Sequence, residues 1–295
     1  MSNNLKGILF TLSSVIMFAL MAILVRLIPT VSSFHSSFFR FTIGLAIIGI
    51  LAMFRLIPLK FRDRKNLFIR GFIGGIAVYL FYLAIVRLGI GKGSAYVYSY
   101  PVFATLFSMA ILKEKVEGIK FIPILTSIAG LLLLSLGGAG GPFAGFGLNE
   151  LIAIGGAITT ALAVVYVKKL HHSDNSYAIF FAQSIIGFWL FLIPSGLTQG
   201  QGNSFDLLVL VLLGVVATIG QLFMTEGYRY VNVATGSLFQ SMVPAINLMS
   251  GYFIFQEQFA INEIWGAILI ILSCLSLVVI NYRMGKKSRI LKMVE

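Results

Sequence analysis

Ten stretches of about twenty mostly apolar residues follow one another along the chain, with little between them. A helix rising 1.5 Å per residue needs about twenty such residues to cross the ~30 Å hydrocarbon core of a bilayer. Water cannot satisfy a backbone amide at that depth, so each stretch must close its hydrogen bonds internally. The runs predict helices over roughly 7–28, 33–54, 67–87, 93–112, 119–137, 149–168, 176–196, 206–228, 234–255 and 263–282. Charged residues make up 11% of the chain and gather in short clusters between the runs. A soluble domain would carry about a quarter. The expected fold is an all-α integral membrane protein of ten transmembrane helices, with no room for a soluble domain. The apolar stretch from Gly7 to Leu27 is too long for a signal-peptide core and reads as a first helix that stays attached.

Lysine and arginine set the orientation. With the N-terminus inside, eighteen of the 22 basic residues fall on the inner side. Arg87 and Lys92 fall outside, and Arg26 and Arg40 lie within spans. Loops rich in lysine and arginine stay cytoplasmic, so both termini are expected there. The formal net charge of +12 then reports topology and contact with anionic lipid rather than a nucleic-acid partner. Cys274 is the single cysteine, which excludes a disulfide within the chain and a cysteine-based metal site.

One unit is written twice. Gly93-Ser94, Pro101 and Glu114 answer to Gly236-Ser237, Pro244 and Glu257, each pair 143 residues apart. The proposed organisation is a first repeat over 1–138, a glycine-rich periplasmic linker over 139–148, a second repeat over 149–283 and a basic cytoplasmic tail over 284–295. Five spans per repeat is an odd number, so the second copy must lie upside down relative to the first. The glutamates agree. Lys113, Lys115 and Lys120 surround Glu114, whereas Gln256, Gln258 and Asn262 surround Glu257. Inverted repeats of this kind characterise secondary transporters.

The pattern resembles the drug/metabolite transporter superfamily, and within it the ten-helix EamA-type exporters. Phe38-Phe39-Arg40-Phe41, Gly93-Ser94-Ala95 through Pro101 to Leu112-Lys113-Glu114, Gly236-Ser237 through Pro244 to Gln256-Glu257, and Gly130 carry the resemblance. It implies a multi-pass carrier in the plasma membrane of a bacterium that moves an amino acid or related metabolite, by export. The alternative is an uptake carrier for a nucleotide-derived metabolite or cofactor. It implies no cofactor, and a monomer or weak homodimer.

Candidate binding residues come from polar groups at membrane depth. A proline within a span removes one backbone donor and frees the carbonyl four residues earlier, so Pro101 and Pro244 are expected to kink spans four and nine. Tyr96 and Tyr100 share one face of span four with Phe103 and Phe107, and Tyr79 and Tyr82 share a face of span three. Buried tyrosine hydroxyls need partners, which points to a wet, aromatic-lined cavity. Gln240, Pro244, Asn247 and Gly251 form a polar stripe on span nine, and Gln221 and Thr225 one on span eight. Ser13, Ser14, Thr159, Thr160 and Tyr166 continue the theme. Amides facing lipid are costly, so these stripes face the bundle interior.

Ionisable groups in spans are expensive and therefore informative. Arg40, about 10 Å inside the outer end of span two, either snorkels outward or attracts a cargo carboxylate. Glu226 is the deepest acid, readable as a partner of Arg229 or as a proton-coupling carboxylate. Glu150 is expected at the outer mouth, solvated. His171, His172 and Asp174 read as a solvated inner loop. A membrane enzyme would need clustered aspartates or histidines, but Asp63, Asp174 and Asp206 are scattered through loops. No filter motif suggests a channel. Gly71 and Gly75, spaced Gly-x-x-x-Gly, would let helices approach closely.

Overall fold

Several helices begin where the sequence supplies a side-chain acceptor for their free N–H groups. Ser32 opens α2 (Ser33–Met53), and its hydroxyl accepts from Phe34 N. Asp63 opens α3 (Arg64–Leu88) and Asn175 opens α8 (Ser176–Leu197). Asn203 and Asp206 cap each other reciprocally at the start of α9 (Ser204–Tyr230). At the other end of α9, the Lys168 ammonium donates to the carbonyls of Tyr228 and Val231 at 3.1 and 3.0 Å. A cation there complements the negative end of the helix dipole.

The computed structural model describes residues 3–112, 118–135, 147–198, 203–231, 233–240, 242–273, 275, 276 and 279. The other helices are α1 (Asn3–Leu27), α4 (Ile90–Val97), α5 (Tyr100–Leu112), α6 (Phe121–Ser135), α7 (Leu148–Leu170), α10 (Val233–Gln240), α11 (Met242–Phe253) and α12 (Ile261–Ser273). No strand occurs among the described residues. Seven helical segments are long and apolar enough to cross a membrane, counting α4 and α5 as one, and α12 is a shorter apolar helix. Glu114, most of the linker and the basic tail lie outside the described residues.

Span four is not a kinked helix, as a mid-span proline suggests, but an interrupted one. α4 stops at Val97 and α5 resumes at Tyr100, so Pro101 sits at a helix start, where its missing N–H costs no bond. The stretch of span nine that corresponds to this break includes residue 241, which lies outside the described residues. The two halves also pack by exchange: α1 lies on α9 as α7 lies on α3, α5 on α7 as α11 on α1, and α2 on α8. The expected Gly71 and Gly75 both face α8, where an added Cβ would meet Ile186 and Leu190.

Polarity is inside out relative to a soluble fold. Ile16, Leu125, Trp189, Ile193 and Leu197 project outward, while Ser14, Gln183, Gln221, Gln240 and Asn247 are buried. Lipid tails accept the apolar rim at no cost, whereas an amide in lipid would lose its hydrogen bonds. The buried amides therefore collect in the centre of the bundle.

Candidate functional site: a polar cavity between the two halves

Arg40 occupies the middle of that centre. Serines at 36 and 37 and the small Gly44 keep its face of α2 narrow, and its side chain is only 3% exposed. Its Nη1 donates to the Tyr82 hydroxyl at 3.2 Å and to the Met21 sulfur at 3.1 Å, and its Nη2 donates to Gln221 Oε1 at 3.0 Å. Its guanidinium also lies 5.8 Å from the ring centres of Phe41 and Tyr82, within cation–π range. Arg40 does not snorkel outward.

A cavity of about 80 Å³ opens beside it. That is room for several waters or one small organic molecule, since a single water needs roughly 10–15 Å³ by the same measure. Arg40, Arg70, Tyr98, Tyr100, Thr160, Gln183, Gln221 and Gln240 supply its polar wall, and Phe18, Met21, Phe81 and Val97 part of its apolar wall. Tyr100 exchanges a hydrogen bond with Tyr228 at 3.2 Å, and Gln240 donates to Ser14. Gln221 Nε2 and Gln183 Oε1 are buried without a hydrogen-bond partner.

The candidate residues divide accordingly. Arg40, Tyr100, Gln221 and Gln240 line the cavity, and Tyr82 supports it through Arg40. Tyr79 does not reach it. Its ring stacks on Phe34 at 4.3 Å, towards α2. Tyr96, Pro101 and Pro244 are buried in the surrounding packing. Asn247 ties α11 to α4 by donating to Ser94 Oγ at 2.7 Å. Thr225 lends its carbonyl to His171 Nε2 at 2.8 Å.

Glu226 pairs with Arg229 at 3.3 Å and accepts from Ser176 at the edge of the bundle, away from the cavity. Glu150, expected to be solvated, is buried instead. It accepts from Gly147 N at 2.9 Å and faces Lys92 at 3.7 Å, and Lys92 also reaches Glu263 at 3.0 Å. At the same end, Glu257 pairs with Arg26 at 3.0 Å and accepts from the N–H groups of Ile90 and Gly91 at the start of α4. Carboxylates are favoured at a helix N-terminus, and this one bridges the halves. Gly89 makes room for it: φ is +86°, and a Cβ there would lie 2.6 Å from Glu257 Oε1.

The opposite end is also tied. Asp174, expected in a solvated loop, is buried and accepts from the backbone N–H groups of Arg62 and Asp63. Burial holds the His171 imidazole below its usual pKa. Among the described residues, no cluster of three or more histidines, cysteines or carboxylates is arranged for a metal.

Sequence reasoning missed Arg70, Gln183 and Tyr98. Arg70 stands near the start of α3 and passes for an ordinary inner-side charge, yet it is 2% exposed. The available signal was the glycine face it shares, because Gly74 lies one turn further along α3. A Cβ at Gly74 would collide with Arg70 Nη1 and approach Gln183 Nε2 to 2.8 Å.

An apolar-rimmed bundle with an interrupted helix beside a central polar cavity is the build of a membrane carrier. The EamA-like transporter family model matches this chain twice, over residues 5–136 and 148–279. The protein belongs to that family and is a multi-pass transporter of the drug/metabolite superfamily type. The pseudopaline exporter CntI of Pseudomonas aeruginosa is 22% identical over 92% of this chain and 95% of its own. Mouse solute carrier family 35 member G1 is 24% identical over 95% of this chain and 80% of its own. A crystal structure shares the fold with a TM-score of 0.66 at 17% identity, covering 94% of this chain and 98% of that one.

Proposed function

We propose that the protein is a secondary transporter that exports a small organic metabolite, an amino acid or related compound, by alternating access across a bacterial plasma membrane. The observation that carries this reading is a single cavity walled by both halves. Arg40, Arg70 and Tyr100 come from the first, and Gln183, Gln221 and Gln240 from the second. A cargo held by both halves is released when they rock apart, which is the geometry alternating access needs. Three further points support it. The interruption of span four, with Pro101 at the start of α5, fits the broken helices that line carrier sites. The bias of lysine and arginine favours cytoplasmic termini, which turns the Arg26–Glu257 end outward. The relative from Pseudomonas aeruginosa is named as an exporter. The described residues that line the cavity all belong to one chain, which supports a monomeric carrier.

The test is thermal stabilisation of purified protein by amino acids, carboxylates, nucleotides and amines, repeated on Gln221→Leu and Gln240→Leu. Cargo that binds only the folded state raises the midpoint by mass action. A compound that stabilises the wild type and neither variant supports the reading. A compound that stabilises all three equally places the cargo elsewhere and refutes it.

A further inference from the structure

Two guanidinium groups face the same cavity, and among the described residues no carboxylate pairs with either. Nε and Nη1 of Arg70 and Nε of Arg40 are buried without a hydrogen-bond partner. Buried cations without counter-charges are costly, and evolution has the cheaper option of leucine at both positions. The protein also makes room for this cost. Gly74 leaves space for the Arg70 guanidinium, where any larger residue would fill it.

The two groups sit at different depths. Arg70 reaches the level of Gly74 on α3, and Arg40 bonds Tyr82, eight residues further along the same helix. Eight residues span about 12 Å, and a tyrosine side chain leans back towards the helix start, so the separation is less than that. Such spacing suits two acidic groups joined by a short carbon chain. Around them, Gln183 and Gln221 offer amide groups, while Phe81 and Val97 offer apolar contact to the connecting carbons.

We propose that the cargo is a small dicarboxylate, one carboxylate held by Arg40 and Gln221 and the other by Arg70 and Gln183. This rests on the cavity being the cargo site, as proposed above. A guanidinium matches a carboxylate with two parallel N–H donors, which a neutral or cationic cargo would leave unused.

The experiment compares succinate, glutarate and adipate with their half-amides and diamides, by thermal stabilisation of the purified full chain at pH 7.5. At least one dicarboxylate stabilises, its half-amide less, and its diamide not at all. Arg70→Gln weakens the dicarboxylate roughly tenfold to a hundredfold and brings it level with the half-amide. Arg87→Gln, an exposed residue beyond the cavity, keeps the wild-type order. If Arg70→Gln fails to give monodisperse protein, Gly74→Ala tests the same point, since it keeps both charges and pushes the guanidinium aside.

The two readings fail differently. Equal stabilisation by dicarboxylate and diamide, or none by any dicarboxylate at about 10 mM, overturns the dicarboxylate proposal and leaves the cavity to be tested with Gln221→Leu. Dicarboxylate binding that survives Arg70→Gln, Gly74→Ala and Gln221→Leu unchanged overturns both.

Discussion

Glu257 is the sharpest place to perturb the transport cycle. It belongs to the second half, but its carboxylate holds three groups of the first: Arg26 Nε at 3.0 Å, Ile90 N at 2.9 Å and Gly91 N at 3.1 Å. The Glu257 side chain is about one-tenth exposed and Arg26 about one-quarter, so solvent screens the ion pair in part. Glutamine at 257 keeps one acceptor and turns a donor towards the other N–H. The variant loses one charge-assisted hydrogen bond and a partly screened ion pair, about 2–4 kcal/mol together. At 1.4 kcal/mol per factor of ten, that is roughly a 30- to 700-fold shift towards an opened end. Thr160 lines the cavity and reports the opening. With Thr160→Cys on a Cys274→Ala background, a membrane-impermeant maleimide applied from the Arg26 side labels the Glu257→Gln variant at least tenfold faster than Glu257, until the open form dominates. An unchanged labelling rate, with only a lower melting temperature, would refute the reasoning. Glu257 would then be a helix cap and no part of a closing contact.

Other outcomes follow from the same geometry. Tyr82→Phe removes one acceptor from Arg40 and weakens cargo binding by about 1–3 kcal/mol, read as a five- to 150-fold higher Kd, while Tyr79→Phe leaves binding unchanged because its ring stacks on Phe34. Glu226→Gln retains cargo binding and transport, measured in proteoliposomes, since its partners Arg229 and Ser176 lie away from the cavity. His171 gives a pH signature. Burial, the largest influence, lowers its folded pKa below the usual 6.5, and Glu226 opposes this while Lys168 and Arg229 reinforce it. The unfolded state then binds the proton more readily, so stability is full above about pH 6.5 and falls as pH drops towards the folded value. Melting temperature against pH checks this, and His171→Asn flattens the fall.

Much of the helical layout was written in the hydrophobic pattern. The run at 33–54 became Ser33–Met53, and that at 206–228 became Ser204–Tyr230, because hydrocarbon forces any long apolar run into a helix. Pro101 signals the interruption of span four, although a mid-span proline reads equally as a kink, because proline is tolerated best where a new helix starts. The cavity was harder to read. Periodicity places Tyr79 and Tyr82 on one face, yet it does not say which neighbour that face meets, and only Tyr82 finds Arg40. Arg70 escaped because a basic residue near a span end has a sufficient explanation in topology. Only the fold reveals that its side chain turns along α3 into the bundle.

The most direct test of the central claim is solute counterflow in proteoliposomes, using the compound that stabilises the purified protein most. Vesicles loaded with unlabelled cargo should accumulate the labelled compound when they carry the wild type, and Gln221→Leu protein of equal insertion should abolish the accumulation. Undiminished counterflow by correctly inserted Gln221→Leu and Arg40→Gln would contradict the assignment of the central cavity as the cargo site.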